Sequence, residues 1–126
     1  VYGINKLLGT PLHRRDLIPF AMQGEVLASK AFHADNVAPA LLGGFTIVKG
    51  YHPLEVFRID APDDLYVTLV HPKIELRTAD SRAVLPAQLP LKTAVQQSGN
   101  LAAFVHALHT KDYLLLGRAT QDFIAE

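Results

Sequence analysis

Apolar positions recur at helical spacing towards both ends of the chain and give way to short apolar runs in the middle. Helical spacing and cap residues predict helices over residues 2–9, 14–29, 37–42, 79–85, 91–109 and 111–126. Runs rich in β-branched and aromatic residues, bounded by Gly, Pro and Asp, predict strands over residues 44–49, 54–59, 65–71 and 72–76. The order of helices, strands and helices indicates an α+β fold with a short antiparallel sheet.

Cap and turn residues set the predicted ends of the first three helices. Gly9 suits the left-handed position that commonly ends a helix. Pro19 fits the second helix if Asp16 is its N-cap, because a proline in the first turn removes no intrahelical hydrogen bond. Asp35 or Asn36 can cap the third helix.

Composition narrows the classes of function. The chain has 126 residues, 49% of them hydrophobic, and its 12 basic residues balance 12 acidic ones. The chain is therefore long and apolar enough to bury a hydrophobic core, but it lacks the excess of basic residues that would bind a nucleic acid. The sequence has no cysteine, which excludes disulfides, thiolate nucleophiles and cysteine-based zinc sites. No apolar run reaches the roughly 20 residues of a membrane span, and a cytoplasmic protein is expected.

Phosphate-binding and metal-binding motifs are absent at the level of simple patterns. The sequence contains neither Gly-x-x-x-x-Gly-Lys-Ser/Thr nor Gly-x-Gly-x-x-Gly, and we interpret Gly43 and Gly44 as a helix stop. His106 and His109 lie three residues apart on a predicted helix. Because no carboxylate lies at a matching spacing, a solvated helix face is preferred to a metal site there.

A carboxylate followed by a cluster of polar residues is the unusual feature of the sequence. Glu25 lies near the end of a predicted helix, and His33, Asp35 and Asn36 gather eight to eleven residues later at the start of the next. Free backbone N–H groups at a helix start attract anions and polar ligands. From the residues alone, however, helix capping is favoured over a ligand site.

Three sequence blocks carry a resemblance to a known enzyme family. Residues 33–44 read HADNVAPALLGG and resemble the His-x-Asp-Asn-Val-Ala-Pro-x-x-x-Gly-Gly segment of homoserine kinases, which are GHMP kinases. Residues 78–86, TADSRAVLP, resemble the Ser/Thr-x-x-x-Arg-x-x-Leu-Pro segment of the same family. Residues 100–108 resemble the helix that follows it, and residues 122–126 the segment after that. The resemblance therefore extends over nearly the whole chain, in the family's order.

The resemblance implies an internal fragment of such an enzyme. Homoserine kinases carry an upstream Pro-x-x-x-Gly-Leu-Gly-Ser-Ser loop around the ATP phosphates and a C-terminal Gly-rich motif, and neither is in this sequence. The chain also starts without Met, and both ends fall within predicted helices. We expect residues 1–50 to be the rest of the N-terminal, ATP-side domain. Residues 51–126 are expected to start a ferredoxin-like C-terminal domain, and the fragment alone to be inactive.

The family's residue roles carry over to two groups of positions. Glu25 matches the magnesium-binding glutamate of the family. The alternative is that Glu25 is only a solvated surface carboxylate. His33 matches a homoserine-binding histidine, whereas Asp35 and Asn36 either contact the substrate or only cap the helix. Thr78 and Arg82 match residues that contact the substrate carboxylate. Arg82 could instead form a structural ion pair. ATP-binding residues and a clear general base are not found in this chain.

The implied function is transfer of the γ-phosphoryl group of ATP, with Mg²⁺, to the hydroxyl of L-homoserine in threonine biosynthesis. The alternative is a non-catalytic α+β domain that binds a small amino acid or a partner protein. A third and less favoured hypothesis is a mevalonate-type kinase. Nucleic acid and membrane are not expected as partners. A homodimer or other self-association is expected, because missing flanks would leave apolar surface exposed.

Overall fold

Along the chain, helices precede and follow a two-stranded antiparallel sheet in the computed structural model, which describes residues 1–29, 32–74 and 83–124. The helices in these ranges are α1 (Tyr2–Leu7), α2 (Ile18–Ser29), α3 (Val37–Leu42), α4 (Leu91–Thr110) and α5 (Tyr113–Ala119). The strands are β1 (Phe45–Tyr51) and β2 (Leu54–Ile59), and a 3₁₀ turn, Arg14–Leu17, precedes α2. The predicted α+β class with a short antiparallel sheet is confirmed.

Contacts divide the chain into two compact units, Val1–Ala61 and Pro62–Glu126. The first unit contains α1 to α3 and the β1–β2 hairpin, and the second contains α4 and α5. The assignment of residues 1–50 and 51–126 to the two domains of the kinase family stays a prediction.

A buried asparagine fixes the turn that follows α1. Asn5 is only 5% exposed, and its side chain both donates to the Leu12 carbonyl (3.0 Å) and accepts from the Leu12 N–H (3.2 Å). Gly9 takes the expected left-handed conformation, with φ of 80°. The polar core residue is thus fully paired across the turn, as a buried amide requires.

The predicted second helix is divided into two parts in the structure. The 3₁₀ turn has His13 rather than Asp16 at its N-cap position, and Asp16 lies inside the turn. Helix α2 begins at Ile18, so Pro19 lies in its first turn. A proline in the first turn of a helix removes no intrahelical hydrogen bond, so α2 accommodates Pro19 although the predicted N-cap, Asp16, is wrong.

One hydrophobic core joins α2, α3 and the β1–β2 hairpin of the first unit. Its fully buried or nearly buried members come from α2, the loop before α3, α3 itself and β2: Ile18, Met22, Ala34, Ala38 and Val56. Partly buried side chains packed around them are Val37, Leu41, Leu42, Val48, Tyr51 and Leu54. The loop that precedes α3 is therefore part of the core and not a surface connection.

Two glycines stop α3 and start the hairpin. Gly43 and Gly44 have φ of 70° and 65°, in the left-handed region that favours glycine. A Cβ added to Gly44 would lie 2.5 Å from the carbonyl oxygen of Ile59, whose residue pairs with Phe45 at the start of the ladder. The predicted glycine stop is confirmed, and Gly44 also lets the two backbones approach.

The predicted strand over residues 65–71 is wrong, since these residues form no strand in the structure. Four apolar side chains in this segment are more than 80% exposed: Tyr66, Val67, Leu69 and Val70. A strand needs a hydrogen-bonded neighbour, and within the described ranges β1 and β2 pair only with each other. Residues 72–74, the described part of the predicted strand 72–76, form no strand either. Most of the predicted helix over residues 79–85 lies within residues 75–82, outside the described residues.

In the second unit, a short turn links α4 to α5. Lys111 adopts a left-handed conformation (φ 57°) that ends α4, and Asp112 caps α5 by accepting from the Leu115 N–H at 2.9 Å. Helix α5 therefore begins two residues later than predicted and ends at Ala119, so the predicted continuation of this helix beyond residue 119 is wrong for the described residues 120–124. The Tyr113 hydroxyl donates to Asp64 at 2.5 Å, and this bond raises the pKa of Tyr113 to about 12 and lowers the pKa of Asp64.

Candidate functional site

The loop from His33 to Asn36 is held at a defined position by the core of the first unit. Ala34 is fully buried, its N–H donates to the Tyr51 hydroxyl (3.3 Å), and its carbonyl accepts from the Ala38 N–H (2.8 Å). The residues on either side of Ala34 are the predicted substrate contacts: His33 is half-buried and Asp35 is exposed. A buried alanine thus anchors two polar side chains near the surface.

Asn36 occupies the N-cap position of α3, but its side chain makes no capping hydrogen bond. Its backbone carbonyl accepts from the Ala40 N–H at 3.4 Å, and its side chain, like that of Asp35, is exposed. Capping by a side chain was the interpretation that the residues alone favoured. The structure shows the cap position without the capping bond, which leaves the Asn36 amide accessible.

Glu25 lies on α2 one helical turn after the buried Met22. Residues three apart on a helix lie on the same side, and Met22 packs in the same core as Ala34. Glu25 is half-buried. The core therefore joins the helix that carries Glu25 to the loop that carries His33.

Thr78 and Arg82 lie outside the described residues, so their predicted contact with the substrate carboxylate stays a prediction. The structure joins four of the six predicted site residues in one unit: Glu25, His33, Asp35 and Asn36.

Glu25 is the residue predicted to bind a metal ion at this site. Across residues 1–29, 32–74 and 83–124, no group of three or more His, Asp or Glu side chains is placed to hold a metal ion. Mg²⁺ commonly takes only one or two protein carboxylates and completes its shell with water and phosphate oxygens. Glu25 alone therefore fits what this ion requires of a protein. His106 and His109 are exposed on α4, in agreement with a solvated helix face.

Two clefts of the first unit lie away from the predicted site. One, of about 370 Å³, lies between the start of α2 and β2 and is lined in part by Arg15, Asp16 and Glu55. The other, of about 280 Å³, is almost entirely apolar and lies beside α1, against Leu17 and Phe20. Neither cleft is lined by the four predicted site residues.

Sequence reasoning missed two residues that shape this unit. Tyr51 had no recognisable signal, because it appeared only as one aromatic residue close to a predicted strand. Asn5 likewise appeared as a polar residue within a predicted helix. In the second unit, by contrast, Asp112 before an apolar run is an ordinary N-cap signal that could have been found.

No helix in the part of the chain that the structure describes combines the length and apolar character needed to cross a membrane. No protein-family model matches the sequence. Individual proteins do match. The homoserine kinase of Chlorobium phaeobacteroides strain BS1 is 49% identical over 122 residues, which are 97% of this chain and 38% of that protein.

A more distant relative and a crystal structure agree. The homoserine kinase of Methanococcus vannielii is 40% identical over 126 residues, or 41% of its length. The crystal structure of homoserine kinase from Cytophaga hutchinsonii superposes on all of this chain with a TM-score of 0.92 and 49% identity, over 40% of that protein. The chain thus spans about two fifths of the length of the relatives it matches. By sequence and by fold, nearly the whole of this chain is therefore similar to a part of these homoserine kinases.

Proposed function

We propose that the protein carrying this chain is a homoserine kinase, which transfers the γ-phosphoryl group of ATP to the side-chain hydroxyl of L-homoserine. The product is O-phospho-L-homoserine, an intermediate of threonine biosynthesis. The observation that carries the proposal is the similarity of nearly the whole chain to homoserine kinases. We also propose that the protein acts in the cytoplasm.

Glu25 is proposed to bind the Mg²⁺ that accompanies ATP. When bound, the ion would neutralise charge that develops on the phosphate oxygens. Support comes from the half-buried position of Glu25 beside the core and from the ability of Mg²⁺ to accept a single protein carboxylate. The residues that surround the ATP phosphates would come from parts of the kinase that this chain does not match.

The loop from His33 to Asn36 is proposed to hold homoserine. Phosphoryl transfer passes through a loose transition state, so catalysis depends mainly on positioning and electrostatics. His33 would donate or accept a hydrogen bond to the substrate and would not act as base. Asp35 and Asn36 have exposed side chains available for its amine or hydroxyl. Thr78 and Arg82 are proposed to bind its carboxylate, for which the planar fork of arginine is suited.

The substitution Glu25→Gln in the full-length protein tests the proposal. The amide keeps the shape of the side chain but loses the charge that attracts Mg²⁺. We expect the Mg²⁺ concentration for half-maximal phosphorylation of homoserine to rise roughly 10- to 100-fold, a range typical of impaired metal sites. A coupled assay of ADP release, titrated with Mg²⁺ at saturating ATP and homoserine, measures this.

Gln23→Ala is the matched control, because Gln23 is exposed on the same helix two residues earlier. It should leave the Mg²⁺ dependence unchanged. An unaltered Mg²⁺ dependence in Glu25→Gln would remove Glu25 from the metal site. A full-length protein that binds homoserine in calorimetry but releases no ADP would favour the non-catalytic amino-acid-binding domain, and phosphorylation of a mevalonate-type alcohol would correct the substrate.

We also propose that the isolated chain associates with itself through residues 65–71. Four of these residues, Tyr66, Val67, Leu69 and Val70, are apolar and more than 80% exposed, and unpaired segments of this kind add to the sheets of other chains. In sedimentation velocity, a species heavier than one chain should appear and grow with concentration. The double substitution Val67→Lys and Leu69→Lys should reduce it, whereas Leu27→Lys, at an equally exposed leucine on α2, should not. A single-chain species at every concentration would refute self-association.

A further inference from the structure

We propose that Tyr51 is a positioning residue for the substrate-binding loop, through the hydrogen bond between its hydroxyl and the N–H of Ala34. The proposal rests on the proposed function, because it concerns how His33 and Asp35 are placed for homoserine. Tyr51 itself is not proposed to touch the substrate. It would act on the backbone between the two side chains that do.

A β-bulge turns Tyr51 towards the loop. Val48 and Tyr51 both pack against the core of the first unit, although they are three residues apart on β1. In a regular strand, residues an odd number apart face opposite sides of the sheet. The register of the hairpin shifts between Val48 and Gly50, so that Val48 pairs with Val56 and Tyr51 pairs with Leu54. The extra residue of the bulge restores Tyr51 to the core face.

Ala34 is the point at which such a contact has the most effect on the loop. Its methyl group is fully buried in the core, its carbonyl accepts from the Ala38 N–H at 2.8 Å, and its N–H donates to Tyr51 at 3.3 Å. A buried N–H that loses its partner costs more than the net value of the bond. Without the tyrosine hydroxyl, the peptide between His33 and Ala34 would reorient, and the two flanking side chains would shift with it.

The hydrogen bond between Tyr51 and Ala34 links two elements that are far apart in the sequence. Tyr51 and Ala34 are 17 residues apart in the chain. The bond therefore joins the far end of β1 to the loop before α3, while the half-buried ring of Tyr51 is held by packing. A hydroxyl on a fixed ring positions a backbone group better than one on a mobile side chain would.

The test is Tyr51→Phe in the full-length protein, which retains the ring and removes only the hydroxyl. We expect the KM for homoserine to rise roughly two- to tenfold, as loss of one neutral hydrogen bond predicts. The KM for ATP should not change. In hydrogen exchange, the Ala34 amide of the variant should exchange faster than that of the unmodified protein. Tyr113→Phe is the matched control, because it removes a hydrogen-bonded tyrosine hydroxyl from the second unit. It should change neither the KM for homoserine nor the exchange rate of the Ala34 amide.

Each combination of results decides the proposal. Faster Ala34 exchange together with a selective rise in the homoserine KM supports it. Unchanged exchange overturns it, and faster exchange with an unchanged homoserine KM also overturns it, since Tyr51 would then be structural only. If the unmodified protein does not phosphorylate homoserine, the proposed function fails, and Ala34 exchange still reports whether Tyr51 fixes the loop.

Discussion

Replacement of Gly44 by alanine should lower the free energy of unfolding by about 2–4 kcal/mol, a sum of left-handed backbone strain and overpacking. Gly44 has φ of 65°, and an alanine Cβ there would lie 2.5 Å from the carbonyl oxygen of Ile59. The obstacle is backbone, which cannot rotate away as a side chain would. Relief therefore requires β1 and β2 to separate where Phe45 pairs with Ile59. Urea unfolding followed by circular dichroism measures the change.

Gly43→Ala separates the two causes. Gly43 has a similar φ of 70°, but a Cβ there would have no atom within 4 Å. Only the conformational strain remains. Because Gly43 has ψ of −179° at positive φ, a region populated essentially by glycine alone, a loss of about 1–3 kcal/mol is expected. An unchanged free energy of unfolding in Gly44→Ala would show that the close approach to Ile59 has no energetic weight.

Met22→Ala should destabilise the first unit by about 2–5 kcal/mol, the usual range for truncation of a large core side chain. Met22 is fully buried, and it lies where α2 meets the loop of Ala34. The cavity would open beneath the loop that carries His33 and along the helix that carries Glu25. In the full-length protein, we therefore expect a lower temperature of thermal unfolding and a higher Kd for homoserine.

Met22→Leu is the control for volume. Leucine is apolar and of similar size, and swaps of this kind usually cost less than about 1.5 kcal/mol. If leucine proves as damaging as alanine, the thioether itself and not the filled volume would be responsible. If alanine proves as mild as leucine, the core is not packed around Met22 as described.

Elements with strong local signals were predicted well from the sequence. Helix α3 has the predicted bounds, because Asn36 marks its start and two glycines end it. Helix α4 extends one residue beyond the prediction, since its apolar spacing persists for several turns. The hairpin was also located, to within two residues at each end. These signals lie within a few positions of the boundaries that they define.

Elements that depend on distant partners were not predicted. Residues 65–71 have the composition of a strand, but strand formation needs a second segment to pair with, and composition does not supply it. The bulge after Val48 is likewise invisible in the sequence. Its position decides that Tyr51 faces the core, which is why the contact with Ala34 appears only in three dimensions.

The candidate site came from resemblance and not from periodicity. Spacing alone favoured helix capping at Asp35 and Asn36, yet the structure shows no side-chain cap at Asn36. A cap residue and a ligand-binding residue have the same polar chemistry, so local pattern cannot separate them. The roles of Thr78 and Arg82 stay predictions, since both lie outside the described residues.

The burial of Met22 has a consequence for chemical labelling. It is the single methionine of a sequence without cysteine, so its thioether is the chain's one sulfur atom. Peroxide converts an accessible thioether into a polar sulfoxide, but the folded core covers Met22 completely. The rate of sulfoxide formation, read as a single mass increment, therefore reports how often the first unit opens, without any introduced probe.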